Sequence, residues 1–248
     1  MATIISFINQ KGGVGKTTSA VSIASALSLK KYNVLVVDLD PQSNASTSLQ
    51  IRDSKINTYT VFKGEPIKIE QVNDHLFVLP SSINVSSLEY ELINEAGREQ
   101  LLNEILDPIK QSFDYIILDC SPNLGLITIN ALVASDYFIT VLLPHHLSIE
   151  GLSSLLEVTN KVTRRINNNL KSGGYILNQF SIRKILHKQT ADVLEKHFPD
   201  KLFRSTIREN IALAEAPSTG KSIFDYAPNS NGARDYMSLT EEIIQKLK

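Results

Sequence analysis

The sequence predicts an α/β fold, a mostly parallel, twisted β-sheet with helices on both faces. Three observations predict it: short apolar runs recur along the chain, helical patterns lie between them, and a glycine-rich turn joins the first run to the first helix. The runs are Ile4–Ile8, Val34–Val37, Leu76–Leu79, Tyr115–Leu118, Phe138–Leu143, Tyr175–Leu177 and a weaker Leu202–Ile207. They are nearly continuous rather than alternating, as strands buried on both faces should be. Between them, Thr17–Lys30 carries Ala20, Ile23, Ala24 and Leu27 on one side. Ser148 is placed to cap a long helix with Leu152, Leu155, Leu156, Val162 and Ile166 in one stripe. Asn231–Lys246 carries Tyr236, Leu239, Ile243 and Leu247 on one side. Strands alternating with helices imply right-handed crossovers. Residues 167–174 (NNNLKSGG) read as a loop between helix and strand, residues 51–73 as an excursion off the sheet, and the whole of 1–248 as one domain.

Composition narrows the function. Hydrophobic residues make up 42% and charged residues 21% of the 248, which excludes a disordered chain. The single cysteine, Cys120, excludes an internal disulfide framework or a cysteine-built metal cluster and suits a reducing cytoplasm. The start, MATIISFINQ, lacks the pattern of a signal peptide, and no apolar stretch is long enough to span a bilayer, so no stable membrane insertion is expected. The net charge of −1 hides an asymmetry: residues 1–160 carry −7 and residues 161–221 carry +7. That basic segment is a candidate polyanion-binding face.

The chemistry starts between the first strand and the first helix, at Asn9-Gln10-Lys11-Gly12-Gly13-Val14-Gly15-Lys16-Thr17-Thr18. Strand, glycine-rich loop and helix form the context of a phosphate-binding loop. Glycines let consecutive N–H groups turn inward around a phosphate, and the helix N-terminus adds its positive dipole end. Lys11 to Thr18 are therefore the candidate nucleotide contacts. Lys16 reaches the β- and γ-phosphates, the Thr17 hydroxyl ligates Mg²⁺, and Thr18 meets the α-phosphate. The cofactors implied are ATP and Mg²⁺.

Two further strands end in carboxylates. One reads Val34-Leu35-Val36-Val37-Asp38-Leu39-Asp40-Pro41-Gln42, the other Tyr115-Ile116-Ile117-Leu118-Asp119-Cys120-Ser121-Pro122. Ligands of open parallel sheets bind beyond the carboxyl ends of the strands, so these aspartates should converge on the loop. Cys120 reads as a small buried residue.

The loop departs from the common phosphate-loop pattern, because position 10 is Gln rather than Gly and a lysine opens it at Lys11. This form resembles the ParA/MinD superfamily. The resemblance implies that Lys11 crosses an ATP-dependent homodimer interface to touch the partner's ATP. It implies further that Asp119 and Asp38 serve the Mg²⁺ site and that Asp40 orients the attacking water, so that Lys11, Lys16 and Asp40 are the catalytic set. Asp38-Leu39-Asp40-Pro41-Gln42 and Leu213-Ala214-Glu215-Ala216-Pro217, with Gly220, Lys221 and Ile223, are similar to the ParA branch and unlike MinD. Asn178, at the end of a strand, would meet the adenine, and Asn210 is a second candidate base contact.

The likeness runs from residue 2 to about residue 245. It lacks the DNA-binding extension of larger plasmid ParA proteins and implies the short type. The implied activity is ATP hydrolysis stimulated by a ParB-like centromere-binding partner, with non-specific DNA binding on the nucleoid, serving plasmid or chromosome partition. Glu209 and Ala212 stand where the family often has DNA-linked arginines. DNA binding would then rest on Arg164, Arg165, Lys171, Arg183, Lys184, Lys188, Arg204, Arg208 and Lys221. The departure keeps open a ParA-like ATPase that positions a protein cargo. A MinD-like membrane role would need a basic amphipathic tail, and the tail SLTEEIIQKLK is not one.

Overall fold

The computed structural model describes residues 1–52 and 54–247, and for residues 146–150 the backbone alone. β1 (Thr3–Ile8) leads into α1 (Lys16–Leu29), and β2 (Val34–Asp38) into the short helices α2 (Asn44–Ser48) and α3 (Thr58–Phe62). A hairpin of β3 (Glu70–Asn73) and β4 (Leu76–Leu79) follows, then α4 (Leu88–Glu91) and α5 (Leu101–Leu106). β5 (Tyr115–Asp119), α6 (Leu126–Ala134), β6 (Tyr137–Leu142) and α7 (His146–Arg165) continue the alternation. β7 (Lys171–Leu177) precedes α8 (Ile185–His197), α9 (Ile211–Glu215), α10 (Ile223–Tyr226) and α11 (Asn231–Lys246).

The seven strands form one sheet in the order β3-β4-β2-β5-β1-β6-β7. Only β3 is antiparallel to its neighbour. Successive side chains of a strand point to opposite faces, and both faces are covered. Ile4, Ile8, Leu35, Ile116 and Leu118 pack with Leu102, Leu132 and Leu155 of α5, α6 and α7. Ile5, Phe7, Val34, Val36 and Ile117 pack with Ile23 and Leu27 of α1 and with Tyr236, Leu239 and Ile243 of α11. The α/β reading therefore holds, and the parallel run β2-β5-β1-β6 aims its carboxyl ends at one rim.

Several boundaries differ from expectation. Residues 171–174 belong to β7, not to a loop: Gly174 has φ 135° where β7 shifts register against β6, and a side chain there would run into the Lys201 carbonyl. Leu202–Ile207 is not a strand: it makes one isolated bridge to β7, Tyr175 to Leu202, and one further hydrogen bond, from the Ile207 N–H to the Leu177 carbonyl. The N–H groups of Arg204 and Ser205 are instead bonded by the Glu242 carboxylate on α11, both at 2.8 Å, which takes them out of any ladder. α7 begins at His146, so Ser148 lies inside its first turn, and the Ser148 side chain is outside the described residues. The 51–73 excursion contains α3, capped by Asn57, and the polar edge strand β3, whose alternating exposure hides it from a search for apolar runs. Gly174→Ala should destabilise the protein by ~3 kcal/mol through backbone strain and displacement of residue 201. Urea unfolding of the two proteins measures it.

Candidate nucleotide site

The loop between β1 and α1 is built from its own sequence. Gly13 and Gly15 have φ of 73° and 96°, conformations that L side chains rarely adopt. Val14 between them is fully buried and anchors the loop. Asn9 holds both sides of the turn: its amide donates to the Val141 carbonyl at 2.6 Å, and its oxygen accepts from the Lys11 N–H at 2.9 Å. Asn178 braces the other end, donating its amide to the Val14 carbonyl at 2.7 Å. A side chain on Gly15 would overlap that amide. No side chain caps α1 and its first turn holds no acid, so the leading N–H groups of the helix are left for an anion.

Three carboxylates and one lysine gather beside this loop. Asp38 and Asp119 are register partners at the ends of β2 and β5, and both are fully buried. Asp38 accepts from the Asp40 N–H at 3.1 Å and from the N–H and hydroxyl of Ser46 at 2.8 and 2.6 Å. Burial still raises its carboxyl to about 6, against the pull of the Ser46 hydrogen bonds. Asp119 goes well above the usual carboxylate range, chiefly through burial and then through the charge of Asp38. The Thr17 hydroxyl lies near enough to oppose that shift, yet neither Asp119 oxygen has a hydrogen-bond partner of good geometry. Lys16 is buried, with its Nζ 3.4 Å from the Lys11 carbonyl. Desolvation lowers its pKa, while Asp119, Cys120 and Asp40 act to raise it. Asp40 accepts from the Gln42 N–H at 2.9 Å.

Lys16 and Asp40 open into a cleft of about 990 Å³, while Asp38 and Asp119 are fully buried and do not line it. Gly12, Gly13, Gly15, Lys16, Thr17, Thr18 and Asp40 line it, joined by Ser121, Pro122 and Asn123 after β5 and by Pro217 and Ser218. Lys11 is exposed at the start of the loop. Two expected base contacts are placed otherwise. The Asn178 amide is bonded to the loop, its oxygen accepts from the Gln179 N–H at 3.0 Å, and the residue does not line the cleft. Asn210 also lies off the cleft wall and caps α9 through the Ala212 N–H at 2.9 Å. Sequence reasoning missed Ser46, the partner of Asp38, and the wall formed by Val85, Ser86, Glu89 and Tyr90. No motif marks that wall, because it is brought to the cleft by the chain between β4 and α5.

The donor set fits a hard divalent cation held on a phosphate chain. A buried carboxylate without partners beside a threonine hydroxyl supplies oxygen ligands, and Mg²⁺ commonly uses one or two such groups plus phosphate and water. The described residues contain no cage of three or more side-chain ligands of the His, Cys, Asp or Glu type.

Comparison with known proteins agrees with this geometry. Residues 2–172 match the AAA domain family. The chain is 38% identical over 249 residues to the sporulation initiation inhibitor protein Soj of Bacillus subtilis, covering 98% of each. Among solved structures, cobyrinic acid a,c-diamide synthase of Mycobacterium smegmatis with bound ATP analogue and magnesium superposes with a TM-score of 0.86 at 27% identity, over 99% of this chain and 95% of that one. A putative plasmid partition protein from Borrelia burgdorferi bound to AMPPNP superposes at 0.85 with 26% identity, over 99% of this chain and 100% of that one. The class that fold and site define is the P-loop ATPase. Within it, the chain belongs to the ParA/MinD-type ATPases, among the Soj and ParA relatives.

A carboxyl group whose folded pKa lies above its unfolded value opposes folding once ionised, so the stability it costs grows as pH rises from the unfolded pKa through the folded one. Asp119→Asn, which cannot ionise, should therefore raise the melting temperature of the nucleotide-free protein at pH 8. The gain should shrink towards pH 4. Thermal unfolding across that range checks the sign.

Proposed function

We propose that this chain is a partition ATPase: it binds ATP with Mg²⁺, pairs face to face with a second copy when ATP is bound, and holds DNA without reading sequence. Hydrolysis, stimulated by a ParB-like centromere-binding partner, then releases it. Its place of action would be the cytoplasm, on the nucleoid. The observation that carries the chemistry is the unpartnered, buried Asp119 carboxylate beside Thr17 and Lys16 at the mouth of the phosphate loop. Thr17 and Asp119 would hold Mg²⁺, with Asp38, already accepting three hydrogen bonds, behind its water. Bound there, the ion would neutralise charge developing on the transferring phosphoryl group. Lys16 cancels charge on the β- and γ-phosphates. Asp40 has one oxygen fixed by Gln42 and its second without a hydrogen bond among the described residues, which suits it to orient water.

Two features support pairing. The Lys11 side chain is exposed and has no ion-pair or hydrogen-bond partner among the described residues, so it is available to a second copy. Exposed apolar side chains also flank the cleft on the same rim of the sheet: Ile83, Tyr90 and Ile93 beyond β4, and Ile182, Ile185 and Leu186 beyond β7. Together they could seal a face-to-face contact.

The basic segment divides between two ends of the sheet. Arg164, Arg165 and Lys171 lie where α7 returns to the start of β7, while Arg183, Lys184, Lys188 and Arg208 follow the end of β7. Arg208 is tied to Asp235, with Nη2 to Oδ1 at 2.6 Å, and Lys184 faces Glu209 at 4.0 Å. Two of the four cations on the nucleotide rim are thus partly neutralised, which keeps a second reading alive, a ParA-like ATPase that moves a protein cargo. A MinD-like membrane tail has no support here. Tyr236, Leu239 and Ile243 of α11 are fully buried against the sheet, and no described helix is long and apolar enough to cross a membrane.

Lys11→Ala should leave ATP affinity within about twofold and lower hydrolysis by ~10²-fold or more, as loss of a charge-supplying finger does. Fluorescent-nucleotide titration and phosphate release separate the two effects. Asp40→Ala with ATP should dimerise and bind random-sequence duplex DNA, and that binding should weaken steeply between 50 and 200 mM salt, as phosphate contacts do. ADP should support neither. Light scattering and fluorescence anisotropy read these outcomes. A trapped dimer that ignores DNA would overturn the partition role in favour of a protein cargo, and a monomer with ATP would overturn the pairing.

A further inference from the structure

Resting on the ATPase reading above, we infer that Glu89 is a positioning residue for hydrolysis: it tethers the loop of residues 121–125, which follows Asp119, by accepting a hydrogen bond from Asn123 and seating its carboxylate on Gly125. The Asn123 amide donates to Glu89 Oε1 at 3.2 Å. A Cβ on Gly125 would overlap the same carboxylate, so Gly125 is bare where Glu89 rests. That spot is the N-terminus of α6, which no side chain of its own caps. A carboxylate is favoured there by the helix dipole.

The other hydrogen bonds of the loop run into neighbouring β1 or into α6 itself. Cys120 N–H reaches the Phe7 carbonyl before the loop begins, Thr128 donates to the Asn123 carbonyl, and the Ile129 N–H donates to the Gly125 carbonyl. Bonds to α6 travel with that helix. Among the described residues, Glu89 makes the one hydrogen bond that ties residues 121–125 to a different element. Its own base is firm. Leu88 before it and Leu92 after it are buried, and Glu91 joins α4 to α3 through Lys63 at 3.0 Å and the Tyr59 hydroxyl.

The loop matters because Ser121, Pro122 and Asn123 line the same cleft as Lys16 and Asp40, on the chain that leaves β5 between β1 and β2. Its position sets how closely these residues approach a γ-phosphate and its attacking water. Glu89 is unsuited to contact phosphate itself, since two negative charges would face each other. Its effect must pass through the loop. Misplacement by about 1 Å can cost on the order of 10²-fold in rate without loss of binding.

The test uses the full chain carrying Glu89→Ala, Glu89→Gln, Asn123→Ala or the double alanine change. Steady-state ATP hydrolysis, ATP-analogue affinity and amide hydrogen exchange over residues 121–129 are measured in each. Glu89→Ala should lower kcat by ~10-fold or more, hold KM and affinity within about threefold, and speed exchange in the loop. Glu89→Gln keeps the acceptor oxygen and should retain most of kcat and of the protection. Asn123→Ala should match Glu89→Ala, and the double variant should be no worse than either alone, as for two halves of one contact. Unchanged exchange in Glu89→Ala, multiplying losses in the double variant, or a Gln variant as impaired as Ala would each overturn the tether. Hydrogen exchange does not depend on turnover. A wild-type protein that fails to hydrolyse ATP would therefore sink the ATPase reading, while the exchange data would still decide the tether.

Discussion

Asp38 and Asp119 stand side by side at the ends of two adjacent parallel strands, both out of contact with water. Removing two like charges from water and setting them together is expensive, and one buried lysine returns only part of the cost. The nucleotide-free chain meets this by holding both carboxyls towards their protonated forms. The difference between the two is instructive. Asp38 is surrounded by donors from Ser46 and Asp40, whereas Asp119 has none, so the site retains an unmet demand for positive charge at one defined place. A cation carried in with the phosphates would meet it.

The sheet makes this arrangement possible. Strands buried on both faces place their charged groups at the ends, and a parallel sheet brings equivalent ends together. Around that rim, side chains distant in sequence brace the loop. Asn9 reaches β6 and Asn178 reaches Val14. Ser46 accepts from the Ser81 N–H while donating to Asp38, which joins the start of α2 to the chain after β4. Each brace restricts a backbone that glycines would otherwise leave free, so the anion site exists before any ligand arrives.

What surrounds the rim bears on partners. Exposed apolar side chains follow the carboxyl ends of β4 and β7, and Lys11 is exposed at the start of the loop after β1. The basic residues do not form one face. Those at the end of α7 lie at the opposite end of the sheet from those after β7, because the whole of β7 runs between them. A charge count along the chain cannot separate these groups, since residues close in sequence at the two ends of a strand lie a strand length apart in space.

The sequence by itself determined six of the seven strands, because each of those is a run of apolar residues buried on two faces. It determined the phosphate loop as well, since Gly13, Gly15, Lys16 and Thr17 act through local backbone geometry that their spacing fixes. α11 was legible from its one apolar side, and the structure adds a cap at Ser230. The edge strand β3 and the Leu202–Ile207 segment were not legible. Their state depends on which neighbour takes their N–H groups, and for Arg204 and Ser205 that is Glu242 on a remote helix. The roles of Asn178, Ser46 and Glu89 were decided by tertiary structure alone. Each acts through one contact with a residue far along the chain, and no local pattern encodes such a contact.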